Sequence, residues 1–217
     1  MNKKFLIKLG KPKDKIRLNN LLNDLRPKGI FSRCSKQFRS IFLKHLLNSP
    51  LGIIIFAYNQ SSKKEVGYVI AIRHPVYFWI SLLLHYPFSI DLFIFIKKSG
   101  SFIRDILLLL KKFKKKKINH SANEKMSNNT LPNFTWSSSN PKIARIHFIG
   151  VLPKFRGSGL GSALYISLME ILRKEGCMKI EAHIDKGNKA SLKLHQTTGW
   201  EIQKLRAGDY KAISKLL

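Results

Sequence analysis

The chain has 217 residues, of which 44% are hydrophobic, so it is long and apolar enough for one large domain, or one domain with an insertion. Forty Lys and Arg residues against 12 Asp and Glu give a net charge of +28. This charge points to nucleic acid, anionic lipid or a phosphorylated cofactor, unless it reflects a Lys/Ile/Asn-rich composition alone. The two cysteines, Cys34 and Cys177, are far apart and in no metal-like spacing. They exclude a disulfide framework and predict free thiols in a reducing compartment.

A strand and two helices are predicted in the amino-terminal part of the chain. Residues 5–9 alternate weakly, as in an edge strand. This apolar run is too short for a secretory signal, so a cytoplasmic protein is expected. Residues 13–25 and 35–47 carry apolar side chains at helical spacing, and Ser35 is placed to cap the second helix.

The clearest hairpin lies between residues 51 and 73. Residues 51–58 and 66–73 are rich in β-branched and aromatic side chains, and the segment between them is polar and turn-like. The near-continuous apolar runs predict central strands that are covered on both faces.

Residues 75–140 are predicted to be an insertion with apolar helices, a lysine run and a mobile Ser/Asn-rich loop. Residues 76–96 contain no Lys or Arg and are about long enough to span a bilayer. Three residues near their middle are poorly tolerated in a spanning helix: His85, Pro87 and Asp91. The apolar residues 103–110 lead into the lysine run 111–117, which is typical of an interfacial membrane anchor. Three alternatives stay open: helices packed on the domain or on a second subunit, peripheral membrane contact, and a true span.

The most informative stretch is a glycine-rich turn between an apolar strand, residues 144–151, and an amphipathic helix, residues 161–175. The turn consists of Arg156, Gly157, Ser158, Gly159, Leu160 and Gly161. Glycines allow positive φ and leave the backbone open, so successive N–H groups can converge on phosphate oxygens at the helix N-terminus. The turn therefore predicts a site for the pyrophosphate of a coenzyme.

The glycine spacing excludes two other nucleotide-binding loops. A Rossmann turn needs Gly-x-Gly-x-x-Gly, whereas Gly157, Gly159 and Gly161 alternate. A P-loop needs a lysine after its last glycine, where this chain has Ser162.

A strand, a short helix and a pair of strands follow. Residues 179–184 alternate as a strand that puts Glu181 and His183 on one face. Asn188 is placed to cap a short helix that ends at Gly199. Two short strands are predicted in the remaining residues.

The chain resembles the Gcn5-related N-acetyltransferase (GNAT) superfamily in the order of its elements and motifs. This order is strand, Val-x-Pro-x-x-Arg-Gly-x-Gly-x-Gly, helix, strand, Asn-x-x-Ser, helix, Gly-Trp. Its coenzyme motif is matched by Val151, Pro153 and residues 156–161. Its second motif is matched by Asn188, Ser191, Leu194, Gly199 and Trp200. The resemblance implies a single α/β (α+β) N-acetyltransferase domain, residues 1–217. Its sheet would be mixed, mostly antiparallel, twisted and flanked by helices, with the apolar and basic helical insertion 75–140 between the third and fourth strands.

The resemblance also implies how acetyl-CoA is held, as a co-substrate and without a metal ion. Backbone amides of residues 156–161 would hold the pyrophosphate, and the Val151 backbone would pair with the pantetheine arm. The fourth strand would splay from the fifth and open a slot for the thioester, bordered by Phe148, Ile149 and Gly150. A backbone N–H there would polarise the thioester carbonyl. Asn188 would contact the pantetheine or its loop, unless it is a plain N-cap, and both roles are compatible.

Three residues are candidates for proton transfer. Many family members have a tyrosine general acid where this chain has His195. The alternatives are that the acid is lost and that His195 is a solvent-facing helix residue. The fourth strand has no carboxylate, so His147 is the nearest base candidate, against an ordinary strand histidine. Glu181, the third candidate, lies on the next strand, which also carries the titratable residue His183.

The predicted function is transfer of an acetyl group from acetyl-CoA to an amine by direct attack in a ternary complex, because no Cys or Ser nucleophile is evident. The expected acceptor is a small molecule or a surface-polysaccharide precursor. The alternative is a catalytically weak protein of this fold that acts as a basic membrane-surface or nucleic-acid-binding module. Binding to an anionic membrane surface, which implies a membrane-associated location, stays open as an alternative, and so does a homodimer. Nucleic acid is disfavoured as a partner.

Overall fold

The computed structural model of the chain describes residues 5–25, 34–86, 143–205 and 208–216. The strands in this part are β1 (Phe5–Leu9), β2 (Gly52–Asn59), β3 (Glu65–Arg73), β4 (Ile143–Val151), β5 (Lys179–Ile184), β6 (Glu201–Lys204) and β7 (Tyr210–Lys215). The α-helices are α1 (Lys15–Leu25), α2 (Lys36–Asn48), α3 (Pro75–His85), α4 (Leu160–Lys174) and α5 (Lys189–Thr197). Short 3-10 turns precede α1 and α4, at Pro12–Asp14 and Pro153–Phe155. These elements confirm the predicted strands and helices, with boundaries that shift by a few residues.

The strands join one mixed sheet in the order β1-β2-β3-β4-β5-β7-β6. Neighbouring strands are antiparallel except β4 and β5, which run parallel. This topology confirms the predicted α/β fold with a mostly antiparallel sheet. Parallel neighbours need a crossover connection, which α4 supplies here. The crossover places the glycine-rich turn between the carboxyl end of β4 and the beginning of α4.

Helices cover both faces of the sheet, and each face has its own apolar cluster. On one face, α1, α2 and α3 pack on β2, β3 and β4. The rings in this cluster that are at most 2% exposed are Phe38, Phe42, Phe56, Tyr68 and Phe78. On the other face, α4 packs across the central strands through Leu164, Leu168 and Leu172. Their spacing of four residues places these leucines on one side of the helix.

Helix α3 follows β3 directly and is the first element of the predicted insertion 75–140. Its Phe78 and Trp79 are buried in the first apolar cluster, and Phe42 of α2 stacks on Trp79 with ring centroids 5.8 Å apart. This part of the insertion therefore packs on the domain. The lysine run and the other predicted features of residues 87–140 lie outside the described residues. In the described parts of the chain, no helix combines the length and the apolar character that crossing a membrane requires.

Candidate active site

A bulge in β4 opens a slot between β4 and β5. The register of β3 and β4 shifts between Ile70 and Ala71, which leaves His147 as an extra residue in β4. A bulge bends the strand that carries it. The pairing of β4 with β5 ends at Ile146 and Ala182, and no described strand takes its place beyond that pair. The two strands therefore part at the bulge, as the resemblance implies.

The edge of β4 along the slot presents backbone hydrogen-bonding groups. On the opposite edge, the Leu152 amide donates to the Val66 carbonyl at 2.9 Å. Because successive N–H groups of a strand alternate in direction, the backbone groups of Ile149 and Val151 point toward the slot. The Arg156 Nε donates to the Val151 carbonyl at 3.1 Å and ties the glycine-rich turn to this edge. An extended ligand can therefore add to β4 as a strand would.

The glycine-rich turn presents backbone amides at the beginning of α4. Gly157 and Gly159 have φ angles of +76° and +79°, in the left-handed region that glycine adopts without strain. Within the described residues, the amides of residues 157–162 donate to no protein acceptor, and the first such bond runs from Ala163 to the Gly159 carbonyl at 3.0 Å. An added Cβ on either glycine would meet nothing within 4 Å. Open space and N–H groups at a positive helix end suit a pyrophosphate.

Helix α5 packs beside this turn and is capped by Asn188. The Asn188 Oδ1 accepts a hydrogen bond from the Ser191 amide at 3.0 Å, so the structure bears out the N-cap role. A Cβ on Gly161 would lie 3.2 Å from Leu194 Cδ2, which shows that α5 lies against the first turn of α4. Contact of Asn188 with the coenzyme stays a prediction.

Asn188→Ala is expected to lower the free energy of unfolding by about 1 kcal/mol, because the variant loses its N-cap side chain. Asn188→Ser is expected to keep most of that stability, because serine accepts the same bond. Urea denaturation of both variants measures the cap, and acetyl-CoA affinity measures the second role. Weaker acetyl-CoA binding by the stable serine variant would show contact with the coenzyme, and equal destabilisation by both changes would contradict the cap.

His195 is buried, and both of its ring nitrogens form hydrogen bonds. The residue is 1% exposed. Its Nδ1 donates to the Ser191 carbonyl at 2.7 Å, so its Nε2 accepts from the Tyr165 hydroxyl at 2.8 Å. Burial lowers the pKa of His195, and the bond to Ser191 opposes that effect. The alternative of a solvent-facing residue is wrong, because the ring turns into the core. The general-acid role stays a prediction, and His195 as folded has no exposed proton to donate.

Tyr165 and Trp200 complete this polar–aromatic cluster, which the sequence pattern did not single out. The His195 ring centroid lies 4.9 Å from that of Tyr165 and 4.8 Å from that of Trp200. Tyr165 is next to Leu164 on the buried side of α4. The available signal was one tyrosine within an otherwise aliphatic helix face. The cluster fixes α5 on α4 and thereby supports the glycine-rich turn.

His147 lies at the bulge, and its ring packs edge-on against Trp79 of α3 with centroids 5.9 Å apart. Its Nε2 is buried and has no hydrogen-bond partner in the part of the chain that the structure describes. Burial, followed by the charge of Arg145, lowers the pKa of His147 to about 3. The ring is therefore neutral near pH 7, with an unused nitrogen near the beginning of the slot.

Glu181 is 5% exposed on β5 and lies opposite Arg145 in the β4–β5 register. Lys179 Nζ and Lys211 Nζ each lie 2.9 Å from its Oε1. Arg145 Nη2 lies 3.6 Å from its Oε2. Burial raises the pKa of Glu181, but the two lysines outweigh burial and the pKa is lowered overall. A carboxylate that its basic neighbours hold in the ionised form is a weak base, so Glu181 is not suited to take the proton of an amine.

His183 lies on the same face of β5, near two aspartates. Its Nε2 is 3.2 Å from Asp209 Oδ2 and 4.0 Å from Asp185 Oδ1. The side-chain atoms of these three residues that could bind a metal ion lie within 4.8 Å of one another. The Lys186 amide also donates to Asp209 at 2.9 Å. An exposed histidine–aspartate pair accounts for this arrangement, which does not require a metal ion.

Two kinds of sequence comparison match the region around the slot. The model of the Acetyltransferase (GNAT) family matches residues 128–200, which include β4, the turn, α4, β5 and α5. A mycothiol acetyltransferase of Kocuria rhizophila is 32% identical over 65 residues, which are 30% of this chain and 22% of that protein. An uncharacterised N-acetyltransferase of Methanocaldococcus jannaschii is 30% identical over 83 residues, 37% of each chain. The chain thus matches only 22% and 37% of the length of these curated relatives.

Solved structures of the same fold extend over nearly the whole chain. Mosquito arylalkylamine N-acetyltransferase like 5b has a TM-score of 0.61 at 14% identity, over 97% of this chain and 99% of that chain. Arabidopsis thaliana NAA60 in complex with acetyl-CoA has a TM-score of 0.56 at 14% identity, over 97% of this chain and 98% of that chain. This likeness shows the fold, and the family model matches the two motifs within it. Residues 128–200 therefore match the GNAT family of acetyltransferases, and the chain has the fold of these solved acetyltransferases.

Proposed function

We propose that the chain is an acyl-CoA-dependent N-acetyltransferase that transfers an acetyl group from acetyl-CoA to the amine of an acceptor. The observation that carries this proposal is the strand edge at Ile149 and Val151 beside the turn at residues 157–161. The turn suits the pyrophosphate, and the strand edge suits the amide groups of the pantetheine arm. A complex with acetyl-CoA is known for one protein of the same fold, which supports this choice of coenzyme.

The reaction would proceed by direct attack of the amine on the thioester. The nitrogen lone pair forms a C–N bond at the carbonyl carbon, the C–S bond breaks, and the coenzyme leaves as a thiolate that takes up a proton. A backbone N–H of Ile149 would polarise the carbonyl. Both cysteines are buried, and burial raises the pKa of the Cys177 thiol. These thiols therefore do not favour a covalent intermediate.

We place His147 beside the attacking amine. Its neutral Nε2 is buried and has no partner in the described residues, so it would act through one ordered water, which donates to Nε2, accepts a hydrogen bond from the amine N–H and so orients the nitrogen lone pair. A pKa of about 3 makes this histidine a poor proton acceptor, so the proton that the amine loses goes to solvent. The thiolate takes its proton from water in this scheme, because His195 and Tyr165 are both buried.

The proposed acceptor is a small amine or a surface-polysaccharide precursor. Two of the similar proteins are named for small molecules, mycothiol and arylalkylamines, which supports the first class. Cytoplasmic location, a homodimer and the single domain with its insertion at 75–140 stay predictions.

Isothermal titration calorimetry with acetyl-CoA tests the coenzyme site, and an acetyl-CoA turnover screen tests the chemistry. We expect one acetyl-CoA per chain. We also expect release of free coenzyme A with at least one class among amino sugars, polyamines, amino acids and peptides. A folded chain that binds no acetyl-CoA would refute the proposal.

A basic groove at the β1 edge of the sheet supports a second candidate function, contact with an anionic membrane surface. This β1 groove encloses about 620 Å³. Its lining includes the exposed lysines Lys8, Lys11, Lys13 and Lys63. Within the described residues, none of these lysines has an acidic side chain within 4 Å. Leu6 and Leu9, which line the same groove, are 41% and 55% exposed. Exposed leucines among lysines are typical of interfacial membrane contact.

Sedimentation with vesicles tests the second candidate. We expect the chain to bind vesicles that contain phosphatidylserine, to ignore pure phosphatidylcholine, and to be released by high salt. Lys8→Glu combined with Lys11→Glu is expected to abolish this binding and to leave acetyl-CoA turnover intact. Equal binding to both lipid compositions would remove membrane contact through the β1 groove from consideration.

A further inference from the structure

Two lysines share one buried carboxylate oxygen on the face of the sheet that carries His147. Lys179 and Lys211 both reach Glu181 Oε1 at 2.9 Å, and Arg145 lies 3.6 Å from the other oxygen. We call these three basic side chains the cation cluster. One carboxylate cannot neutralise two ammonium groups, and neither lysine has a second acidic partner in the described residues. The cation cluster therefore keeps a positive charge.

The cation cluster lies where the slot begins. Arg145 pairs with Glu181 one position before the last β4–β5 pair, Ile146 with Ala182. Beyond that pair the strands part. Residues at successive positions along a strand rise by about 3.3 Å, so Arg145 and His147 are about 7 Å apart along β4. An acceptor whose amine is near His147 can therefore place a second group near the cation cluster.

The cluster lies on the side of the sheet away from the coenzyme turn. Helix α4, which begins at the turn, packs on the face to which Ile180 and Ala182 point. Strand alternation puts Glu181 on the opposite face. If the thioester enters the slot from the α4 side, the opposite face is left for the acceptor. The cations on that face then meet the acceptor rather than the coenzyme phosphates.

The cations are held in place yet remain accessible. Glu181 is 5% exposed, whereas the side chains of Lys179 and Lys211 are each 34% exposed. Each ammonium has three N–H donors, and one contact with Glu181 leaves two for a ligand. Glu181 thus orders the two lysines and leaves most of their N–H donors available. Because the lysine side chains are already ordered, they lose less conformational entropy when a ligand binds.

We propose that the acceptor carries an anionic group, a carboxylate or a phosphate, near its amine, and that Lys179 and Lys211 bind this group. The proposal rests on the acetyltransferase function proposed above and narrows its substrate class. It disfavours polyamines and neutral amines, because the cation cluster repels an additional positive charge and gives a neutral substituent nothing to bind.

Matched acceptor pairs test the proposal, because each pair differs mainly in the anion. The pairs are glucosamine with glucosamine 6-phosphate, and phenethylamine with phenylalanine, with putrescine as a dication. We expect kcat/KM for the anionic member of at least one pair to exceed that of its partner about tenfold or more, and to fall with salt. The two pairs distinguish phosphate from carboxylate.

Variants assign the preference to the cation cluster. Lys211→Met is expected to reduce the preference about five- to tenfold through the KM of the acceptor, with the KM of acetyl-CoA unchanged. Lys211→Arg is expected to retain it, because the charge remains. Lys215→Met is the matched control, since this exposed lysine lies on the same face of β7 and has no acidic partner among the residues that the structure describes. It is expected to change nothing.

The outcomes separate this inference from the proposed function. Turnover without preference for the anionic members, or the same loss in Lys215→Met as in Lys211→Met, overturns the inference and leaves the acetyltransferase function standing. Absence of turnover with every amine, together with absence of acetyl-CoA binding, overturns both.

Discussion

Acetyl-CoA is expected to bind a Gly159→Trp variant about 100-fold more weakly than the natural chain, or not at all. A 100-fold loss corresponds to about 2.7 kcal/mol. Gly159 lies in the left-handed region at φ +79°, and an added Cβ there would point into open space. The surrounding amides donate to no acceptor in the described residues. A ligand that uses those amides must occupy the space that an indole would fill. Titration calorimetry measures the affinity directly.

Backbone strain is the competing explanation for such a loss, and Gly199 provides the control. Gly199 has φ +77° and equally open space around an added Cβ, but it follows α5 rather than the coenzyme turn. Gly199→Trp therefore carries similar strain, about 1–2 kcal/mol. We expect thermal denaturation to show comparable destabilisation in the two variants, and calorimetry to show weakened binding only in Gly159→Trp. Undiminished acetyl-CoA affinity in Gly159→Trp would contradict the site.

Local chemistry made much of this site predictable from the sequence. Glycines at alternating positions after an apolar strand specify positive φ and open backbone, and Gly157 and Gly159 adopt that conformation. Asn188 at the beginning of a helical pattern specifies a cap, and it forms one. Each inference needs only residues that are close in sequence, because the interactions that decide it are local.

Side-chain environments were not predictable in the same way, because they depend on register across the sheet. The neighbours of Glu181 come from three strands, and the sequence does not show that Lys211 of β7 reaches it. The bulge at His147 follows from the pairing of β3 with β4, not from a local pattern. His195 occupies a position where the superfamily often has a tyrosine, yet a hydroxyl from α4 holds it in the core.

The stability of the chain is expected to fall steeply below pH 6.5, and His147→Gln is expected to reduce that slope. Burial and the charge of Arg145 lower the folded-state pKa of His147 to about 3, while an unfolded histidine titrates near 6.5. Below pH 6.5, His147 therefore binds a proton in the unfolded chain but not in the folded chain. The stabilisation is complete above pH 6.5 and is lost as the pH falls toward 3.

The expected size of this effect is about 1.4 kcal/mol per pH unit for one histidine, or about 3 kcal/mol between pH 6.5 and 4.5. His74, whose pKa burial lowers to about 4, contributes in the same direction, so some slope remains in the variant. Urea denaturation of the natural chain and His147→Gln at several pH values between 7 and 4.5 gives the difference in slopes. Other titrating groups are shared by both chains and cancel. Parallel slopes would mean that His147 accepts a proton in the folded state, which would contradict a neutral ring at the slot. A flatter slope in the variant would establish that His147 keeps its lone pair at the pH where an amine must be oriented for attack.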